Sequence, residues 1–113
     1  MKNYDLEVRT KTFSINVINL CKKLPYNFVN KTLFDQLIRS STSIGANYRE
    51  ANETDTKKDF KNKIRIAKKE ARETIYWLEL LSNSNSEYQM EISSLLDESS
   101  QLMKIIASIY LKI

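Results

Sequence analysis

Two sets of side chains have the type and spacing to do chemistry. Arg39, Ser43, Asn47 and Glu50 are spaced four, four and three, which stacks them on one helical face. Ser40, Ser41, Thr42, Gly45 and Ala46 surround them with small side chains. A guanidinium, a hydroxyl, an amide and a carboxylate in line fit a small-ligand pocket or a polar network that fixes helix register. On spacing alone a solvated face beside the apolar stripe is the favoured reading. Catalysis is the weaker reading. One Glu with an Arg is a common structural ion pair, and no second carboxylate stands at a fixed spacing as its partner.

The second set is a basic row, Lys57, Lys58, Lys61, Lys63, Arg65, Lys68, Lys69 and Arg72, opposed only by Asp59 and Glu70. Lys58, Lys61, Arg65, Lys68 and Arg72 follow helical spacing and share a face opposite Phe60, Ile64, Ala67 and Ala71. Like charges in line repel by a few tenths of a kcal/mol per pair. Phosphates would relieve that repulsion and release counterions. A plain solvated face is the alternative. The candidate nucleic-acid contacts are Lys57, Lys58, Lys61, Arg65, Lys68, Lys69 and Arg72. No aromatic interrupts the row and no RNA-binding signature or Gly-rich loop accompanies it, so binding is expected to read backbone and shape. Tyr76 and Trp77 lie just beyond. They read first as packing rings near a helix or subunit contact, with Tyr76 as a stacking platform the alternative.

Other chemistry is excluded by composition. The 113 residues contain no His, which removes His-based triads, His general bases and His metal sites. Cys21 is alone, so no internal disulfide forms, and a lone helical Cys reads as a small buried hydrophobe. No enzyme activity, metal or cofactor is expected. The net charge of +4 is uneven: residues 1–76 hold 16 basic and 9 acidic side chains (+7), and residues 77–113 hold 2 and 5 (−3). Such polarity suits an anionic partner or head-to-tail self-association. There is no apolar run long enough to span a membrane, and charges occupy the N-terminus where a signal peptide needs an apolar stretch. A cytoplasmic protein is expected.

The elements that would position these side chains are four helices, predicted at about 4–24, 31–53, 57–82 and 87–112 in one domain, 1–113. The first stripe is Leu6, Thr10, Phe13, Val17, Leu20 and Leu24, ended by Pro25. The second is Leu33, Leu37, Ser41, Ile44, Tyr48 and Ala51, widened by Phe34 and Ile38, with Asn30 as N-cap. The third is Phe60, Ile64, Ala67, Ala71, Ile75, Leu78 and Leu81, started by a Thr56/Asp59 capping box. The fourth begins at a Ser86/Gln89 capping box and runs Ile92, Leu95, Leu96, Ser99, Leu102, Met103, Ile106, Ile109 and Ile113. An added row, Ile105 and Tyr110, suggests a subunit contact or a broad core face. Short connections between helices of similar length predict an all-α, antiparallel up-down-up-down four-helix bundle.

The run Arg39-Ser40-Ser41-Thr42-Ser43-Ile44-Gly45-Ala46-Asn47-Tyr48-Arg49-Glu50 resembles the R-x-S-x-S-I-x-A-N-x-x-E pattern of the bacterial four-helix bundle proteins, also called 23S rRNA intervening-sequence proteins. Phe60, Ile64, Ile66, Ala67, Glu70, Ala71, Glu73 and Leu78 resemble that family's helix 3 pattern. Ala51 departs from it where the family usually has Gly after the motif Glu. Lys69-Glu70 departs where Gly-Ser or Ser-Ser often precedes the helix 3 Ala. The resemblance implies an antiparallel bundle assembled as a homopentamer, and a small basic protein associated with ribosomal RNA intervening sequences. Related bundles include the accessory variability determinant of diversity-generating retroelements, which binds a reverse transcriptase and nucleic acid. Given the resemblance, the seam of Arg39, Ser43, Asn47 and Glu50 is read as a structural network. The partners it implies are further copies of the chain, RNA or DNA, and a docked protein such as a polymerase. No membrane is implied.

Overall fold

The apolar stripes fold as their spacing requires. A computed structural model describes residues 3–113, with side chains from residue 5 onward. The first two residues of the range predicted for the bundle lie outside the described residues. Helix α1 spans Asn3–Lys23, α2 Phe28–Asn52, α3 Lys57–Ser84 and α4 Gln89–Leu111, with a 3₁₀ turn at Ser86–Tyr88 before α4. No strand occurs among the described residues. Each helix packs on its sequence neighbours, and α1 closes the ring against α4, while among the described residues no Cα atoms of the diagonal helices come within 8 Å. With connections this short, neighbours run antiparallel, and the fold is an all-α up-down-up-down four-helix bundle. Its long dimension of 45 Å is close to the roughly 42 Å expected of α3's 28 residues at about 1.5 Å each.

The helix ends follow local chemistry, with two departures from expectation. Thr56 caps α3 as predicted, its hydroxyl accepting from the Asp59 N–H at 3.1 Å. Helix α2 starts earlier than predicted. Asn27, in extended backbone, accepts from the Asn30 N–H at 2.9 Å, so Asn27 is the cap and Asn30 lies inside the helix. Asn30 has another job. Its side-chain amide and that of Asn85 exchange two hydrogen bonds of 2.9 Å, and each also donates to a carbonyl, of Pro25 and Leu81 respectively. Both are buried. A fully satisfied polar pair thus clamps the α1–α2 connection to the end of α3. At α4 the Ser86 hydroxyl caps nothing; the chain enters through the 3₁₀ turn instead.

The core is the four stripes turned inward. Phe13, Val17, Leu37, Ile44, Ile64, Leu78, Leu81, Ile92, Leu102 and Ile106 are each at most 1% exposed. Cys21 is buried among them, and burial pushes its thiol up to about 11. Small and polar residues sit where helices come closest. A Cβ built on Gly45 of α2 would lie 2.9 Å from Thr10 Oγ1 and 3.1 Å from Thr10 Cβ on α1. The Thr10 hydroxyl is spent on its own helix, donating toward the Leu6 and Glu7 carbonyls. On the other side of α2, the Ser40 and Thr74 hydroxyls meet at 2.9 Å, joining α2 to α3.

Candidate nucleic-acid interface

The four seam residues line the edge of α2 that faces α3, and α3 answers them with charge. Arg39 reaches Glu70 at 3.3 Å and Glu73 at 3.0 Å. Glu70 is 6% exposed, so its carboxylate depends on that guanidinium for compensation. Glu50 pairs with Lys63 at 2.7 Å, on side chains open enough that the pair contributes at most about 1 kcal/mol. Asn47 donates to the Ser43 carbonyl one turn back at 2.8 Å. Apart from that side-chain-to-backbone bond, no hydrogen bond or ion pair joins the four to one another among the described residues. Arg39 and Glu50 bridge to α3 at two heights, and Ser43 and Asn47 bond within α2. The small residues of α2 at its contacts with neighbouring helices, Ser40 against α3 and Gly45 against α1, are buried, as is Ser41. A shallow groove of about 360 Å³ lined by Thr10, Lys11, Ser14, Thr42, Gly45, Ala46 and Arg49 runs along the opposite edge of α2.

The basic row divides three ways. Lys61 and Lys68 turn toward α4, where their ammonium groups sit 4.9 and 4.6 Å from the centre of the Tyr110 ring. These cation–π contacts hold both lysines beside one ring and cover it. They account for part of the apolar excess of α4: Tyr110 and Ile105 pack against the core from its margin. Lys63 belongs to the α2 side through Glu50. The remainder, Lys57, Lys58, Arg65, Lys69 and Arg72, is exposed. None of these five is in an ion pair among the described residues. Lys58, Arg65, Lys69 and Arg72 follow spacings of seven, four and three, one continuous stripe down the outside of α3. Three carboxylates on α2 and α3 are engaged elsewhere, Glu70 and Glu73 by Arg39 and Glu50 by Lys63.

Several of these arrangements have no signature in sequence. Arg9 of α1 makes a two-pronged bond to Glu98 of α4 at 2.7 and 2.8 Å and a third to Gln101. This closes the ring between the first and last helices and raises the Arg9 pKa. The partners are 89 residues apart, beyond the reach of any local pattern. Glu70 and Glu73 are the exception: two carboxylates one turn apart inside a basic helix are a visible sign of a cationic neighbour, which proves to be Arg39.

No group of His, Cys, Asp and Glu able to hold a metal occurs among the described residues. No helix among them is long and apolar enough to cross a membrane. No curated protein matches the chain. A crystal structure of a protein of unknown function from the S23 ribosomal protein family of Bacteroides thetaiotaomicron VPI-5482 superimposes with a TM-score of 0.83. It is 37% identical, and the match covers 93% of this chain and 97% of that one. The 23S rRNA-intervening sequence protein family matches residues 2–108. With the fold, the α2 motif and the α3 pattern in agreement, the chain belongs to the 23S rRNA-intervening sequence protein family.

Proposed function

We propose that this chain is a non-enzymatic, cytoplasmic bundle protein that binds RNA or DNA without sequence preference through the outer face of α3, as an accessory to a nucleoprotein complex. The observation that carries the proposal is the stripe Lys58, Arg65, Lys69 and Arg72. It is exposed, and no carboxylate neutralises it among the described residues. Four cations in line, about 21 Å from first to last at 1.5 Å per residue, suit contact with a phosphate backbone. We further propose self-assembly, as the homopentamer that the family resemblance implies. Repeating the stripe around a ring would multiply weak contacts into avidity.

Salt provides the test. Four phosphate contacts per protomer give a slope of roughly −3 to −3.6 in log affinity against log salt, a roughly 50- to 150-fold loss between about 50 and 200 mM. Reversing Arg65, Lys69 and Arg72 to Glu removes binding at the lower salt. No binding at about 50 mM salt, or unchanged binding after reversal, overturns the proposal. A monomer by light scattering overturns the assembly.

A second reading, a scaffold that docks a protein such as a polymerase, is favoured by one observation. Tyr26 on the α1–α2 connection, Phe28 and Val29 in the first turn of α2 and Met90 at the start of α4 are exposed at the same end of the bundle. A partner captured regardless of charge reversal on α3 would favour it.

A further inference from the structure

The basic stripe does not end at Arg72. One turn further on the same face stands Tyr76, 54% exposed. The spacing of Lys58, Arg65, Lys69, Arg72 and Tyr76 is seven, four, three and four, so the ring continues the line of cations. Its orientation is supported from beneath. The Trp77 ring meets it edge-on, with centroids 5.1 Å apart and planes at 64°. Trp77 is itself half-buried against the core. A large aromatic ring in solvent, propped by a second ring and preceded by three cations within three turns, has the two components of a single-strand site. These are a charged track for the backbone and a face for a base to stack on.

We infer that the ligand class of the α3 face is single-stranded nucleic acid, with an unpaired base stacked on Tyr76 while Lys69 and Arg72 hold the adjoining phosphates. The inference rests on the nucleic-acid reading above and narrows it. A duplex presents the same phosphates, but its bases are stacked on one another and offer Tyr76 no free face. The cations therefore serve both kinds of strand, and Tyr76 discriminates between them. Glu79, exposed less than a turn beyond Tyr76, marks the end of the track, because a carboxylate there repels the next phosphate.

The chain carries its own reporter. Trp77 is the only tryptophan, so its emission is expected to change when a base settles on the ring against which it packs. The full chain is titrated with an oligouridylate and with an RNA duplex, each about 20 nucleotides long, more than the site size of one such surface. The single strand binds more tightly and alters Trp77 emission; the duplex leaves emission unchanged. Tyr76→Ala lowers single-strand affinity roughly 5- to 150-fold, the range expected for one stacked base, and leaves duplex affinity as it was. Tyr76→Phe retains the preference. Arg72→Ala weakens both ligands. If neither ligand binds, the nucleic-acid reading falls and this inference with it. If both bind equally and Tyr76→Ala changes neither, the basic face stands and the inference is overturned. A Tyr76→Ala variant that changes the mass of the assembly by light scattering makes Tyr76 a subunit contact, which overturns it as well.

Discussion

Replacing Gly45 by Ala tests the closest approach in the bundle. In an exposed helix the change stabilises by about 1 kcal/mol, because Gly forfeits more backbone entropy on folding. Here the added methyl carbon would stand 2.9 Å from Thr10 Oγ1 and 3.1 Å from its Cβ, where ordinary contact begins at 3.4 Å. Thr10 cannot yield. It is 1% exposed, its branched side chain is stiff in a helix, and its hydroxyl is held 2.9 Å from the Leu6 carbonyl. The helices must therefore part by about 0.5 Å, the difference between 3.4 and 2.9 Å. Overpacking of this kind costs about 1–3 kcal/mol. Less the gain of about 1 in propensity, a net destabilisation of up to about 2 kcal/mol is expected. With Thr10→Ala beneath it, Oγ1 is gone, and the same Gly45→Ala becomes neutral or stabilising. The coupling between the two sites is then about 1 kcal/mol or more. Urea unfolding followed by far-UV circular dichroism reads this directly, since 1 kcal/mol moves the midpoint by roughly 0.5 M. Protein concentration is held fixed because any self-association shifts apparent stability. The reasoning is refuted if Gly45→Ala stabilises the parent chain, or if its effect is the same with and without Thr10.

Two further outcomes follow from buried groups. Arg39→Ala strips the nearly buried Glu70 of its cation. Because Arg39 is itself half exposed and water can partly replace it, the loss should be about 1–2 kcal/mol rather than the 3–5 of a fully buried pair. Glu70→Gln, which leaves no charge behind, should cost less; a silent Arg39→Ala in urea would count against the seam as a structural device. Cys21, with its thiol raised to about 11 from 9.0 by burial, predicts a pH effect. Below pH 9 the thiol is neutral folded and unfolded and contributes no pH dependence. Between 9 and 11 the unfolded chain ionises first, so stability falls as pH rises, by at most about 2.7 kcal/mol. The difference in stability between the parent and Cys21→Ala, measured across that range, should show the fall, and Cys21 should resist thiol reagents at neutral pH. A flat difference curve would exclude it.

The helix stripes were legible because a period of 3.6 is written in neighbouring residues. Every position read on α1 is buried, and on α2 to α4 the stripes lie on the core or its margin except at Ile75, which is only half-buried, and Ile113, which is exposed past the end of α4. The start of α3 was legible too, since a cap acts over three residues. The start of α2 was misread at Asn30. Asn27 and Asn30 are both good caps by type, and the choice between them was made by Asn85, 55 residues away. Ser86 failed as a cap for a related reason: the buried Asn85 fixes the end of α3 and leaves a 3₁₀ turn to lead into α4.

The site shows the same division. Sequence alone determined that α3 carries a dense cationic face, that α2 carries small and polar residues in line, and that His chemistry is absent. Composition and helical period suffice for that. Only the tertiary structure decided what each charge is free to do. Lys61 and Lys68 are drawn onto Tyr110, Lys63 onto Glu50, and Arg39 onto Glu70 and Glu73. Lys58, Arg65, Lys69, Arg72 and Tyr76 are left facing water. A charge's availability depends on what the neighbouring helix places within about 5 Å of it, and that distance is set by packing between residues far apart in the chain.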